Sequence, residues 1–195
     1  MSQIKAIETL YNGYRFRSRL EARWAVFFNT AGIKYQYEPE GFDLGNGVYY
    51  LPDFWLPELK MWVEVKGEKP SEEDQQKCAT LAEQSGNRVL IVGQIPQIGY
   101  GNQIENEEFY FGCMQEIFGD ENGNKSVVWD RPYFFCQCTF CSEMGCEFDG
   151  RSVRINCCNE NNESKANKLY NATTPLLVNA YKKAKQSRFE HGEKP

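Results

Sequence analysis

Between Tyr50 and Gly67 the chain reads YLPDFWLPELKMWVEVKG, two aromatic and β-branched runs separated by Pro57, Glu58, Leu59 and Lys60. Runs of this kind, broken by a four-residue loop, predict an antiparallel hairpin. With residues 57–60 as the loop, Leu56 lies opposite Met61, and counting outward along both strands brings Asp53 to face Glu64. Residues opposite one another in such a pair point to the same face, with Cβ atoms about 4.5–5.5 Å apart. Lys66, two residues past Glu64, shares that face because side chains alternate along a strand. Val63 and Val65 alternate to the other side, where they suit a core, and Pro52 and Pro57 mark strand ends. Two acids and a lysine thus converge at one end of a ribbon. Directly opposed like charges destabilise a sheet unless something positive neutralises them. Carboxylates with a backbone carbonyl and waters suit Mg²⁺ in an open site, and such an ion polarises a phosphoryl oxygen and generates a hydroxide nucleophile. There Lys66 would position or deprotonate the attacking water, or stabilise the charge that develops.

Upstream, Leu20, Trp24, Phe27, Phe28 and Ala31 recur at helical spacing within residues 16–31, and Gly32 supplies the stop. Strands are predicted over residues 33–38, 48–56 and 61–66. Ser71 is placed to open a helix running to about Ser85, with Glu72, Glu73 and Asp74 in its positive first turn. Residues 88–92 read as a short buried strand. The order helix, three strands, helix, strand predicts a mixed α/β domain over residues 1–96. Residues 97–130, rich in Gly, Asn, Gln and Glu, read as an acidic connecting region with one strand at 108–113. A strand-rich, cysteine-rich module occupies residues 131–160, and residues 161–195 hold a last helix at 175–188 and a basic tail.

Pro52-Asp53 followed, after ten residues, by Glu64-Val65-Lys66 resembles the PD-(D/E)XK nuclease signature, and Glu21 matches the acid that many members supply from their first helix. The longer strings at residues 18–28, 50–57 and 63–67 are similar to a group of such nucleases encoded by tailed phages and prophages. The likeness is strong over about residues 11–96, weak through the acidic middle, and partial in the cysteine region and at residues 188–192. It implies a restriction-endonuclease-like fold, a mixed β-sheet core flanked by helices, here with a small strand-rich zinc module and a C-terminal helix. It also implies a Mg²⁺- or Mn²⁺-dependent endonuclease whose partner is DNA. In it Asp53, Glu64 and the Val65 carbonyl hold the metal, Lys66 serves the water, and Glu21 assists. Arg17, Arg19 and Arg23, which flank Glu21, are assigned to phosphate contacts. Trp24, Trp55 and Trp62 are read as packing residues. The competing function is a catalytically silent DNA- or protein-binding module of the same fold.

Six of the eight cysteines lie between Cys136 and Cys158. The N-terminus lacks an apolar signal segment, so a reducing, cytoplasmic setting in a bacterial cell or infected host is expected, favouring metal over disulfides. Cys138 and Cys141 form a C-x2-C pair, and Cys157 and Cys158 follow 16 and 17 residues later, near ribbon-type zinc spacing. With Asp149-Gly150 as a hairpin turn, Cys141 falls opposite Cys158, whereas Cys146 lies about 16 Å along the strand. The expected ligands of one structural Zn²⁺ are therefore Cys138, Cys141, Cys158 and one of Cys136 or Cys157; the alternative is a set of reduced, buried cysteines. Cys78 and Cys113 read as packing residues, and His191, the only histidine, as exposed.

The net charge of −5 is uneven: residues 1–67 balance, residues 68–130 carry −8 and residues 131–195 carry +3. The ends of the chain can therefore still meet an anionic polymer. No apolar run approaches the roughly 20 residues of a membrane-spanning helix, so no membrane partner is expected. The sequence leaves open a homodimer and a phage or host protein partner.

Overall fold

A computed structural model describes residues 7–99, 104–105, 112–117, 126–130, 133–138, 141–148 and 170–189. Helix α1 (Arg19–Ala31) starts where Ser18 Oγ accepts the Glu21 N–H, and stops at Gly32, whose φ of 75° suits a residue without Cβ. Helix α2 (Glu72–Ser85) opens on a capping box between Ser71 and Asp74 and ends at Gly86. Helix α3 (Pro175–Gln186) is capped by Thr174, with Pro175 in the first position, where its missing N–H costs nothing.

Short strands surround these helices. Strands β1 (Thr9–Tyr11) and β2 (Tyr14–Phe16) form a hairpin ahead of α1, and β3 (Gln36–Tyr37) follows it. The predicted strand over 48–56 is divided. Its first part, β5 (Tyr49–Tyr50), pairs with β4 (Phe42–Asp43) in a separate ribbon, and β6 (Phe54–Leu56) resumes beyond Pro52, which cannot donate to a ladder. Strands β7 (Met61–Val65) and β8 (Arg88–Val92) follow, then β9 (Gln97–Ile98), β10 (Ile104–Glu105), β11 (Gly112–Ile117) and β12 (Ser126–Asp130). The central sheet has six strands in the order β12-β11-β8-β7-β6-β3, parallel between β7 and β8 and antiparallel elsewhere. Residues 97–130, expected as a connecting region, therefore supply two strands of this sheet. Their polar composition conceals that β11 pairs with β8 and β12 with β11.

Strand β7 sorts its side chains onto two layers, as a two-residue period requires. On one face Met61 and Val63 join Phe54, Leu56, Leu90 and Val92 against α1 and α3; on the other Trp62 joins Val89 and Ile91 against Cys78, Leu81 and Ala82 of α2. Phe27 of α1 stacks on Tyr181 of α3 with ring centroids 4.5 Å apart. Trp24 satisfies its indole N–H on the Gly93 carbonyl at 2.8 Å, a packing role as expected.

Strands β13 (Tyr133–Cys138), β14 (Met144–Phe148) and β15 (Tyr170–Asn171) form a three-stranded sheet in the order β14-β13-β15. Buried residues of this sheet join the core beneath α1. Tyr133, Phe135 and Cys146 are buried in the layer of α1, and Phe135 lies 5.1 Å from Phe27. The large rings at alternate positions of β13 are the reason: a small sheet could not cover them alone. The predicted turn at Asp149-Gly150 lies outside the described residues. Among the described residues no helix is long and apolar enough to cross a membrane.

Phe27 touches Trp24, Phe28, Phe135 and Tyr181, so it joins α1, α3 and β13. Phe27→Ala is expected to cost about 3–5 kcal/mol of stability, the usual loss for an aromatic side chain deleted from a packed core. Urea unfolding of the two proteins measures it, and a loss near zero would contradict the shared core.

Candidate active site

Strands β6 and β7 pair Phe54 with Val63, Trp55 with Trp62 and Leu56 with Met61, the register read from the loop length. Asp53 sits one residue before β6. Its Oδ2 accepts the Val65 N–H at 2.7 Å, so the acid is tied across the ribbon to the end of β7. Glu64 and Lys66 share the same edge: Lys66 Nζ lies 2.9 Å from Glu64 Oε1 and 2.7 Å from Asp74 Oδ1 at the start of α2. The Lys66 N–H donates to the Val92 carbonyl at 2.7 Å, continuing the parallel pairing and fixing the base of the side chain. Tyr50 donates its hydroxyl to Glu64 Oε2 at 2.7 Å. Burial works to lower the Lys66 ammonium, but Glu64 and Asp74 outweigh it and hold the group above its ordinary value. Burial works to raise Asp74, but Lys66 and the Ser71 donors bring its carboxyl down to about 2.

Helix α1 brings the third acid. Glu21 is placed three residues after its cap, the spacing of a capping box, and its carboxylate reaches back. Oε1 accepts from Ser18 Oγ at 2.6 Å; Oε2 accepts from Tyr37 OH at 2.6 Å and the Arg17 N–H at 3.0 Å. Glu21 is thus both a structural group at the helix start and a neighbour of Asp53. Asp53, Glu64 and Glu21 are 4%, 7% and 7% exposed. Burial first, then the charges of Glu64 and Glu21, hold the Asp53 carboxyl well above the usual carboxylate range, against the Val65 N–H and Arg17.

Arg17 lies over these acids. Its Nη2 is 3.0 Å from Asp53 Oδ1 and also pairs with Glu38 Oε1. Of the other two arginines assigned to phosphate, Arg23 donates Nε to the Ser187 carbonyl at 3.2 Å, which ties α1 to the end of α3. Arg19 is the half-exposed first residue of α1. Trp55 and Trp62 pack ring to ring at 4.5 Å on the α2 side of the sheet. Among the described residues no three Cys, His, Asp or Glu side chains are drawn together tightly enough to enclose an ion. At the Asp53 edge the space between Asp53 and Glu38 is taken by the guanidinium.

Four residues of this site were not singled out from the sequence: Tyr37, Glu38, Tyr50 and Asp74 as a partner of Lys66. Tyr37 and Glu38 belong to a segment visible only as strand and turn, and their approach to α1 is a tertiary contact. Glu38 carries a φ of 44°, which a residue with a Cβ adopts at a cost, and this backbone donates its N–H to the Asp53 carbonyl at 2.9 Å.

Among the cysteines, Cys138 and Cys141 bracket the turn from β13 to β14. Ser142, at φ 65°, donates its N–H to the Cys138 carbonyl at 3.0 Å, and the Cys138 N–H bonds the Glu143 carbonyl at 2.8 Å. Cys141 is exposed and Cys138 buried. Burial, with Glu147, pushes the Cys136 thiol up to about 12. Cys146 faces the apolar core and Cys78 packs beneath Tyr50, at 3.4 Å from its hydroxyl. Cys157, Cys158, His191 and the Cys113 side chain lie outside the described residues.

The Asp74–Lys66 pair yields a pH dependence of known sign. Asp74 has a folded value of about 2, below the roughly 3.9 of a free aspartate, so its contribution is present above about pH 4 and lost as pH falls toward 2. Asp74→Asn is expected to lower stability by about 1 kcal/mol at neutral pH, the size for a pair this open to solvent. Urea unfolding at stepped pH should show the two proteins converging in acid; a constant difference would contradict the pair.

Comparison with protein-family models, with curated proteins and with solved structures finds no match to this chain.

Proposed function

We propose that the chain is a Mg²⁺- or Mn²⁺-dependent DNA endonuclease of the PD-(D/E)XK kind, phage or prophage encoded, on a restriction-endonuclease-like core. The observation that carries this reading is the β6–β7 edge, where Asp53 is bound to the Val65 N–H and Glu64 contacts Lys66. The order α1, β6, β7, α2, β8, with Glu21 on the first helix, agrees with it. The donor set also fits the ion. It offers carboxylate and carbonyl oxygens, the hard ligands that Mg²⁺ takes. Burial first, and then the negative charges of Glu64 and Glu21, leave the Asp53 carboxyl above the usual range.

Asp53, Glu64 and the Val65 carbonyl would hold the ion, which supplies Lewis-acid polarisation of a phosphoryl oxygen and lowers the pKa of water. Lys66, paired with Glu64 and Asp74, would position the attacking water or stabilise the negative charge that develops. Glu21, fixed by Ser18, Tyr37 and the Arg17 N–H, presents a second negative charge beside Asp53. Arg17, whose side chain is 56% exposed, is the cation best placed to meet a phosphate. A structural Zn²⁺ on Cys138 and Cys141, completed by Cys158 and one of Cys136 or Cys157, would hold the turn between β13 and β14. The tight backbone turn joining the first two supports that pair.

A second reading is a catalytically silent DNA- or protein-binding module. It is favoured by the near-complete burial of Asp53 and Glu64 and by their neutralisation from within by Arg17 and Lys66.

Cleavage of linear, nicked, branched and single-stranded DNA with Mg²⁺ or Mn²⁺ separates the two. Asp53→Ala and Lys66→Ala are each expected to reduce the rate by about 10²–10³-fold, the range for removing a group that stabilises developing charge. Unchanged cutting by both variants would rule out this site, and tight DNA binding with no turnover would select the silent module. Elemental analysis is expected to find one zinc per chain, lost in the Cys138→Ser/Cys141→Ser protein together with part of its thermal stability. Full zinc content in that variant would remove these cysteines as ligands.

A further inference from the structure

Among the described residues, one exposed side chain, Arg17, pairs with the buried Asp53 of the β6–β7 edge, and its two ion pairs have different characters. Arg17 Nη2 reaches Asp53, whose side chain is 6% exposed, and Glu38, whose side chain is 22% exposed. The inner partner is a proposed metal ligand; the outer one stands at the rim. We infer that Arg17 and Glu38 form a counter-ion latch, in which the guanidinium occupies the cation position of Asp53 until a divalent ion displaces it, and Glu38 retains the displaced guanidinium at the mouth of the site. This inference rests on the proposed cation site and adds how that site is guarded.

Three observations support it. First, the charges do not balance without an ion. Arg17 bonds Glu21 through its backbone N–H and Asp53 and Glu38 through its guanidinium, and Lys66 is shared between Glu64 and Asp74, so five carboxyl groups surround two cations. A divalent ion at Asp53 would relieve this surplus and repel the guanidinium already there, since like charges cannot share one carboxylate at close range. Second, the two ends of Arg17 are held differently. Its backbone N–H is held by Glu21 and Tyr37, both at 3.0 Å, while its head is more than half exposed. The head can therefore turn without disturbing α1. Third, Glu38 is set firmly. Its left-handed backbone, φ 44°, costs free energy that a freely chosen loop conformation would avoid, and its N–H is bonded to the carbonyl of Asp53 itself. The outer carboxylate is thus fixed to the residue whose cation it would receive. A bidentate, permanently charged guanidinium suits a transfer between two carboxylates and then a phosphate better than an ammonium does.

Calorimetric titration of Mn²⁺ into the full chain, without DNA, tests the latch on wild type, Arg17→Ala, Glu38→Gln and the double variant. Arg17→Ala is expected to bind Mn²⁺ about 10-fold tighter, because the competing internal cation is gone. Glu38→Gln is expected to bind about 10-fold more weakly, because the guanidinium loses its alternative seat, and this effect should vanish in the Arg17→Ala background. Arg17→Gln, which keeps most of the side chain's volume, repeats the measurement if Arg17→Ala fails to fold, and should also bind more tightly. Equal affinity of the wild type and both Arg17 variants would overturn the latch while leaving the cation site standing. A Glu38→Gln loss that persists without Arg17 would also overturn it, making Glu38 a metal ligand. Absence of Mn²⁺ binding in every folded protein would overturn the cation site and the latch together.

Discussion

Strand β7 is buried on both faces, and the alternation of its side chains is the constraint on which the remaining architecture depends. Met61 and Val63 must meet apolar partners on one side and Trp62 on the other, so a helical layer is required on each face. The same alternation leaves Glu64 facing the α2 layer, where no apolar partner suits it. The fold answers with Tyr50 and Lys66, one donor for each carboxylate oxygen. The chemistry at this edge is thus a by-product of the packing period. A shift of one residue in the β6–β7 register would send both the core and the acids to the wrong layers.

Charge compensation at the edge comes from elements that are separate in sequence. Arg17 precedes α1, Glu38 follows β3, Asp53 precedes β6 and Asp74 opens α2. Partly buried ion pairs of this sort add little net stability, because desolvation and solvent screening offset much of the Coulomb gain. Their contribution is to geometry: both oxygens of Asp53 and of Glu64 are held by a named donor, so the edge is organised before any ligand arrives.

Local signals in the sequence carried the elements and the central juxtaposition. Gly32 and Ser71 bound their helices as capping chemistry predicts, and a four-residue loop was enough to set Leu56 against Met61. What local reasoning could not reach were contacts between distant segments. Glu38 appears in sequence as one more acid beside a proline, and its left-handed backbone and its hold on Arg17 arise only once β3 lies beside β6. Arg23, singled out for its nearness to Glu21, also donates Nε to the Ser187 carbonyl, a tie to α3 that spacing along the helix could not reveal. Strands β11 and β12 were hidden in a stretch rich in Gly, Asn, Gln and Glu: β11 enters the sheet beside β8, and β12 enters it only through β11. For Cys138 and Cys141, spacing suggested a shared metal, and the structure adds the backbone turn between them; of the other proposed ligands, Cys157 and Cys158 lie outside the described residues.

Phe27 rests on Tyr181, Arg23 on Ser187 and the Lys185 ammonium on the Ile95 carbonyl, so the first helix is closed by the last. A nascent chain emerging from the ribosome therefore completes every acid of the edge while the aromatic side of α1 still lacks its cover. Productive folding of that half awaits α3, and such a delay leaves rings exposed during synthesis. Truncation upstream of α3 would act less like trimming a tail than like removing the keystone of an arch already built.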